Sequence, residues 1–134
     1  MGITIKTDEE IRKIREAGRI LAKTQELLAS KLKAGITTME LDQIAEEFIR
    51  SQGATPSFKG LYGFPASICT SINEEVVHGI PSVKRMLKEG DIISIDVGVC
   101  LDGYHSDGAK TYAIGEVAEE TKRLIEVTKQ SFYE

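Results

Sequence analysis

Residues 91–107 read DIISIDVGVCLDGYHSD, and this stretch decides the fold. Every second residue from position 93 to position 99 is aliphatic, whereas the intervening positions include Asp96. A period of two is typical of a β-strand that has one apolar face and one different face. We therefore predict a strand here in which Asp96 points away from the aliphatic side.

The dipeptide Asp102-Gly103 predicts a tight hairpin, because both residues tolerate the positive φ of a type I′ turn. A two-residue turn places Asp107 opposite Gly98, so that Asp96 and Asp107 become diagonal neighbours on one face. A four-residue loop places the two aspartates directly opposite each other, and a three-residue loop puts them on opposite faces. Two of the three simple registers bring the carboxylates together.

The aspartate pair predicts half of a two-metal site. Cross-strand neighbours lie roughly 5 to 8 Å apart, and carboxylates at that spacing can hold two divalent ions about 3.5 to 4 Å from each other. Without a cation, two such carboxylates repel each other. The structural alternative is that Asp96 pairs with a buried partner such as Lys110 or a backbone amide, since an isolated aspartate is disfavoured inside an aliphatic strand.

Several ordered motifs of this chain resemble one known family. Residues 71–81 read SINEEVVHGIP and residues 90–98 read GDIISIDVG. With GATPSF at 53–58 and DGYHSD at 102–107, they resemble the bacterial methionine aminopeptidases of type I, and the resemblance runs along the whole chain. It implies an α+β fold, half of the pita-bread fold, with two N-terminal helices, an antiparallel sheet and a C-terminal helix.

The resemblance also implies roles for five residues. Asp96 and Asp107 match the family's metal-binding aspartates, and His78 matches a histidine that contacts the scissile amide without binding metal. Phe58 and Phe64 match the wall of the substrate side-chain pocket. The implied cofactors are divalent ions (Mn, Fe, Co or Zn, two per complete site), and the implied partner is the N-terminus of a peptide substrate.

The chain departs from the family pattern at three points. Many relatives carry a tyrosine at the position of Leu61, whereas here Tyr62 lies one step further on, and Gly108 stands where Thr, Ser or Ala is usual. Family members are also considerably longer. The histidine and two glutamates that complete their ligand set lie in a second half that this chain does not contain, which implies an incomplete site.

The final segment, 118–134, has the pattern of an amphipathic helix but no stop signal. Apolar residues recur from Leu124 to Phe132, and no Gly, Asn or Pro cap precedes the end at Glu134. We expect residues 1–134 to form a single N-terminal half-domain that is truncated at its C-terminus. A naturally short chain is the alternative.

The expected function is metal-dependent hydrolysis of N-terminal methionine from peptides, with this chain inactive when alone. The alternative from a different class is a non-catalytic pita-bread half-module that binds peptide or self-associates. An isolated half leaves apolar surface uncovered, so a homodimer through the exposed half-core is expected. A prolidase-like enzyme of the same fold is a third possibility.

Composition and charge narrow the class of protein. The net charge of −4 comes without a basic stripe, which argues against a nucleic-acid partner, and no apolar run has membrane-spanning length. Cys69 and Cys100 lack metal-site or redox spacing and are expected to be reduced packing residues. A cytoplasmic location is therefore predicted.

Local signals predict the remaining elements. Thr7 with Glu10 and Thr37 with Glu40 form two capping boxes, each of which begins an amphipathic helix. His105 shares a strand face with Asp107 and is expected to be structural or to support the site from outside. Strands are predicted at Ser67–Asn73, Val76–Ile80, Asp91–Leu101 and Tyr104–Ile114.

Overall fold

The computed structural model describes residues 2–134 and confirms the α+β class. Two helices come first, a small sheet follows, and a third helix ends the chain. A single 3₁₀ turn, Leu61–Gly63, lies in the loop before the second strand. The helices and strands are α1 (Asp8–Lys31), α2 (Thr38–Ser51), β1 (Thr55–Pro56), β2 (Ile68–Ile72), β3 (Ile92–Leu101), β4 (Tyr104–Ala113) and α3 (Glu119–Tyr133).

Both predicted capping boxes are present. The Thr7 amide donates to Glu10 and the Glu10 amide donates to the Thr7 hydroxyl, each at 3.2 Å. The Thr37 amide donates to Glu40 at 2.7 Å, and the Glu40 amide donates back to the Thr37 hydroxyl at 3.1 Å. Each box satisfies backbone donors that the first turn of a helix leaves free, so α1 and α2 begin where the sequence predicts.

The sheet is built around β3, and every pairing in it is antiparallel. β4 pairs with β3 along its whole length, while β1 and β2 both pair with β3 as well. The register places Gly98 opposite Asp107, as a two-residue turn requires. Asp102 and Gly103 form that turn with φ values of 50° and 81°, so the first of the three predicted registers is correct.

The core lies between the aliphatic face of the sheet and the two N-terminal helices. Ile93, Ile95, Val97 and Val99 are fully buried against a cluster that includes Leu28 of α1. Each such side chain stabilises the fold by about 1.5 to 3 kcal/mol relative to exposure. The opposite face is open, since the side chains of β4 that share it, at positions 105, 107, 109, 111 and 113, are exposed.

The prediction of a strand at Val76–Ile80 is wrong. Asn73 turns the chain with a φ of 53°, and His78 also has a positive φ, of 60°, which is incompatible with a β-ladder. Val76 and Val77 are mostly exposed instead of packed. A short β-rich run that finds no partner along its length stays a loop, because strand propensity depends on packing against neighbours.

Two smaller features also bear on the predicted elements. Ile11 belongs to the apolar side of the amphipathic helix α1, but it is 43% exposed. The loop after α2, for which no strand was predicted, contains β1, which pairs with β3 through Thr55–Pro56. Proline is tolerated there because β1 is short and lies at the edge of the sheet.

Asp42 of α2 connects the helix layer to the beginning of β2. Its buried carboxylate accepts hydrogen bonds from the amides of Ser67 (2.8 Å) and Ile68 (3.0 Å).

We expect Asp42→Ala to lower the free energy of unfolding by about 3 kcal/mol, since two buried amides lose a charged acceptor. Asp42→Asn keeps an acceptor oxygen and is expected to lose less than half as much. Urea denaturation followed by circular dichroism measures both, and equal losses would contradict this role for the carboxylate.

Candidate metal and substrate site

A cavity of about 530 Å³ opens on the face of the sheet that the helices do not cover. It has an apolar wall from the loop after β1 and a polar floor on the sheet. All five residues that the sequence assigned to a site line this one cavity. Its lining residues are Phe58, Leu61, Tyr62, Gly63, Phe64, Pro65, Cys69, His78, Ile80, Asp96 and Asp107.

Asp96 and Asp107 form the acidic floor. The register makes them diagonal neighbours, because Asp107 lies opposite Gly98 on the neighbouring strand. Burial raises the pKa of Asp96 to about 6, the adjacent carboxyl group of Asp107 raises it as well, and His78 opposes the shift. The alternative partner Lys110 lies opposite Ile95 and therefore on the other face.

One atom of this floor lacks a partner. The Oδ1 atom of Asp96 is buried and accepts no hydrogen bond from the described residues. A buried carboxylate oxygen without a donor is costly, and a bound cation is one way to satisfy it. The aspartate pair thus suits a divalent ion. The described residues 2–134 contain no cluster of three or more His, Cys, Asp or Glu side chains that could hold a metal, so the pair is a partial ligand set.

Cys69 was predicted to be a packing residue, and it lines the floor of the cavity as well. It lies on β2 directly opposite Asp96, and its thiol is free. Burial raises the pKa of the Cys69 thiol to about 11, with further contributions from the negative charges of Asp96 and Asp107. The thiol is therefore neutral near pH 7 in the metal-free chain. Only the register of β2 against β3 reveals its position.

Gly98 provides the space that the aromatic wall occupies. A Cβ atom at this position would lie 2.6 Å from the Phe58 ring and 2.9 Å from the Cβ of Ser57. The Ser57 hydroxyl is hydrogen-bonded to Nδ1 of His105 at 2.9 Å. His105 therefore supports the wall from outside the cavity, and it does not line the cavity.

A second contact holds the residue that follows Phe58 in the chain. Lys59 forms an ion pair with Glu46 of α2 at 2.7 Å, and Glu46 also accepts a hydrogen bond from the Ser67 hydroxyl. The residues on either side of Phe58 are thus attached to different elements, β4 and α2. This arrangement orients the ring towards the cavity.

His78 reaches the cavity from the loop after β2. The next residue, Gly79, contacts the β2 backbone: its carbonyl accepts from the Thr70 amide at 2.9 Å, and its own amide donates to the Ser71 hydroxyl at 3.1 Å. A Cβ atom at Gly79 would lie 1.9 Å from the Thr70 oxygen. The close approach of Gly79 to β2 therefore places His78 beside the floor. The sequence suggested this histidine only through a resemblance.

Tyr62 and Leu61 both line the cavity, so the displaced tyrosine still contributes to its wall. The Tyr62 side chain is fully exposed at the rim, whereas Leu61 is half exposed. At Gly108, the second departure from the family pattern, a Cβ atom would lie 3.3 Å from the Leu21 side chain. That strand position has little room for a larger residue.

Comparison with known proteins identifies the group to which this chain belongs. Residues 12–134 match the model of metallopeptidase family M24. The chain is 56% identical to a methionine aminopeptidase of Clostridium perfringens and 58% identical to methionine aminopeptidase 1 of Bacillus subtilis, each over 131 residues. Both alignments include 98% of this chain and 52% of the relative, so the chain spans about half the length of these curated relatives.

Solved structures agree in the fold. The methionine aminopeptidase of Rickettsia prowazekii superposes with a TM-score of 0.93 at 43% identity, covering 96% of this chain and 52% of that one. The prolidase of Pyrococcus horikoshii superposes with a TM-score of 0.82 at 26% identity, covering 94% and 35%. The prediction of half a pita-bread fold is confirmed, and the methionine aminopeptidases are the more similar of these two groups. The chain belongs to metallopeptidase family M24 and is similar to the methionine aminopeptidases along about half of their length.

Proposed function

We propose that this chain carries one part of the active site of a metal-dependent methionine aminopeptidase. The observation that carries the proposal is the buried, unpartnered Oδ1 of Asp96 beside Asp107, at the floor of a cavity with an apolar wall. The similarity to methionine aminopeptidases of other organisms supports the same reaction. Because the chain spans about half of those relatives, the proposal concerns a contribution to the site.

Each residue of the cavity has a chemical task in this proposal. Asp96 and Asp107 hold divalent ions (Mn, Fe, Co or Zn), which would polarise the scissile carbonyl and lower the pKa of water. His78 donates a hydrogen bond to charge that develops at the scissile amide. Phe58 and Phe64 contact the unbranched apolar side chain of the N-terminal residue and exclude water from it.

The proposal extends to location and domain organisation. Cys69 and Cys100 are both free thiols, which agrees with a reducing compartment such as the cytoplasm. No helix within residues 2–134 is long and apolar enough to cross a membrane. We further propose that residues 1–134 form one half-domain that acts together with further ligands, as the partial ligand set requires.

Metal binding by this chain is expected to be weak and to need both aspartates. Two carboxylates provide too few ligands for tight binding of a transition metal. In calorimetric titrations with MnCl₂ or CoCl₂, we expect Asp96→Asn and Asp107→Asn each to abolish the binding heat. Asp102→Asn, in the turn of the same hairpin, is the matched control and is expected to bind as the unsubstituted chain does. Unchanged binding in either of the first two variants would remove the site from these residues.

The activity of the chain alone is expected to be undetectable. Hydrolysis needs further metal ligands, a proton acceptor and a closed pocket, and each missing group costs orders of magnitude in rate. We expect no release of methionine from a Met-Ala-Ser peptide with Co or Mn present. Adding the remaining half of the Clostridium perfringens relative as a separate polypeptide is expected to restore some release.

The control for this experiment is Asp107→Asn in the mixture, which is expected to abolish the restored release. Robust turnover by the purified chain alone, lost in Asp107→Asn, would overturn the incomplete-site proposal. It would point instead to an active site built from two copies of the chain.

The alternative function is a self-associating or peptide-binding half-module, and the exposed apolar surface of α3 favours it. α3 has no buried residue, and its Leu124, Val127 and Phe132 are each more than half exposed. Burial of such surface by a second copy is favourable, so we propose that the chain alone forms a homodimer through the exposed apolar side chains of α3.

Sedimentation velocity at micromolar concentration tests the homodimer. Leu124→Lys is expected to shift the chain towards the monomer, because it places a charge on the apolar surface of α3. Lys129→Leu, on the same helix, is the matched control and is expected to leave the dimer intact. A stable, well-folded monomer of the unsubstituted chain would contradict the proposal.

A further inference from the structure

Gln25 is a buried polar residue of α1 that does not line the cavity. It is 2% exposed and lies between the helix and the sheet. Its Nε2 donates to the carbonyl oxygen of Ile95 at 2.8 Å and to that of Gly108 at 3.3 Å. One amide group of a helix is therefore attached to both strands of the β3–β4 hairpin.

The two carbonyls belong to neighbours of the two aspartates. Ile95 immediately precedes Asp96, and Gly108 immediately follows Asp107. Because a peptide unit is planar, holding the Ile95 carbonyl also holds the plane that continues to the Cα of Asp96. Gly108 has more backbone freedom than any other residue type would have there, and a hydrogen bond to its carbonyl restrains that freedom beside Asp107.

Tyr112 determines which end of the Gln25 amide faces the strands. Its hydroxyl donates to Oε1 of Gln25 at 2.9 Å. The oxygen thus has a donor, and both hydrogens of Nε2 are available for the two carbonyls. A buried amide is costly unless it is hydrogen-bonded, so the orientation with all partners satisfied is strongly preferred.

We propose that Gln25 is a positioning residue for the metal-binding aspartates, because its bonds to Ile95 and Gly108 set the separation of Asp96 and Asp107 across the β3–β4 pair. The inference rests on the proposed function, in which these carboxylates hold the metal. Gln25 touches neither metal nor substrate and acts through the backbone. The simpler alternative is a satisfied core glutamine that only attaches α1 to the sheet and affects stability alone.

Manganese broadening of backbone amide signals separates these two roles. The ¹⁵N-labelled chain is titrated with MnCl₂, and the concentration that halves the Asp96 and Asp107 signals is recorded, since this measurement detects weak binding. Gln25→Met keeps the length and burial of the side chain but removes both donors. We expect it to raise that concentration about tenfold, as for other residues that orient metal ligands.

Thr24→Val is the matched control. Thr24 is the preceding residue of α1 and is fully buried, but its hydroxyl donates to Ile20 within the same helix, at 2.8 Å. Loss of the Thr24 hydroxyl is expected to lower the free energy of unfolding and to leave the half-broadening manganese concentration unchanged. Tyr112→Phe keeps the packing and removes only the bond that orients Gln25. It is expected to raise the half-broadening manganese concentration as Gln25→Met does, but by a smaller factor.

Each outcome decides between the two roles. Equal responses of Gln25→Met and Thr24→Val would overturn the inference and leave the proposed function intact. An unsubstituted chain whose Asp96 and Asp107 signals do not respond to manganese would overturn the proposed function and the inference with it. If Gln25→Met does not fold, Tyr112→Phe decides alone, and an unchanged response in that folded variant overturns the inference.

Discussion

The two-residue turn at Asp102-Gly103 fixes the register of β4 on β3, and the open face of the sheet depends on that register. Because side chains alternate along a strand, a shift by one residue would move Asp107 to the helix side of the sheet. The same shift would bring Tyr112 to the open face, away from Gln25, with which it is hydrogen-bonded. The contacts of the buried face and the position of the cavity floor therefore require the same register of β4 on β3. The burial of Ile93 and Ile95 stabilises the sheet in that register.

The absence of a side chain at Gly98 links this register to the cavity wall. Phe58 occupies the space above Gly98, and Ser57 reaches over the same strand to His105. The aromatic wall thus stands directly on the strand that carries Asp96. The apolar wall and the charged floor are positioned by one segment of sheet, so that a change in strand pairing would alter both together.

The sequence predicts features that depend on neighbours in the chain. Each capping box joins residues three positions apart, and the Asp102-Gly103 turn limits the hairpin to a few registers. Contacts between distant segments give no such signal. Gln25 bonds to residues 70 and 83 positions away, and Cys69 reaches the floor through the pairing of β2 with β3. The same limit explains the wrong strand at Val76–Ile80, whose pattern suited a strand although the segment meets β2 at Gly79 and does not pair with it along its length.

The aspartate pair opposes the stability of the metal-free fold. Burial and the proximity of Asp107 raise the pKa of Asp96 to about 6, above its value in an unfolded chain. The stability that this group contributes is fully present below the unfolded pKa and is lost as the pH rises through the folded value, so at neutral pH the ionised pair is a cost. A cation between the carboxylates favours the ionised form and offsets that cost. In the proposed function, the hydrogen bonds of Gln25 to β3 and β4 would keep the two charges together despite their repulsion, and this preorganisation would favour cation binding over relaxation of the strands.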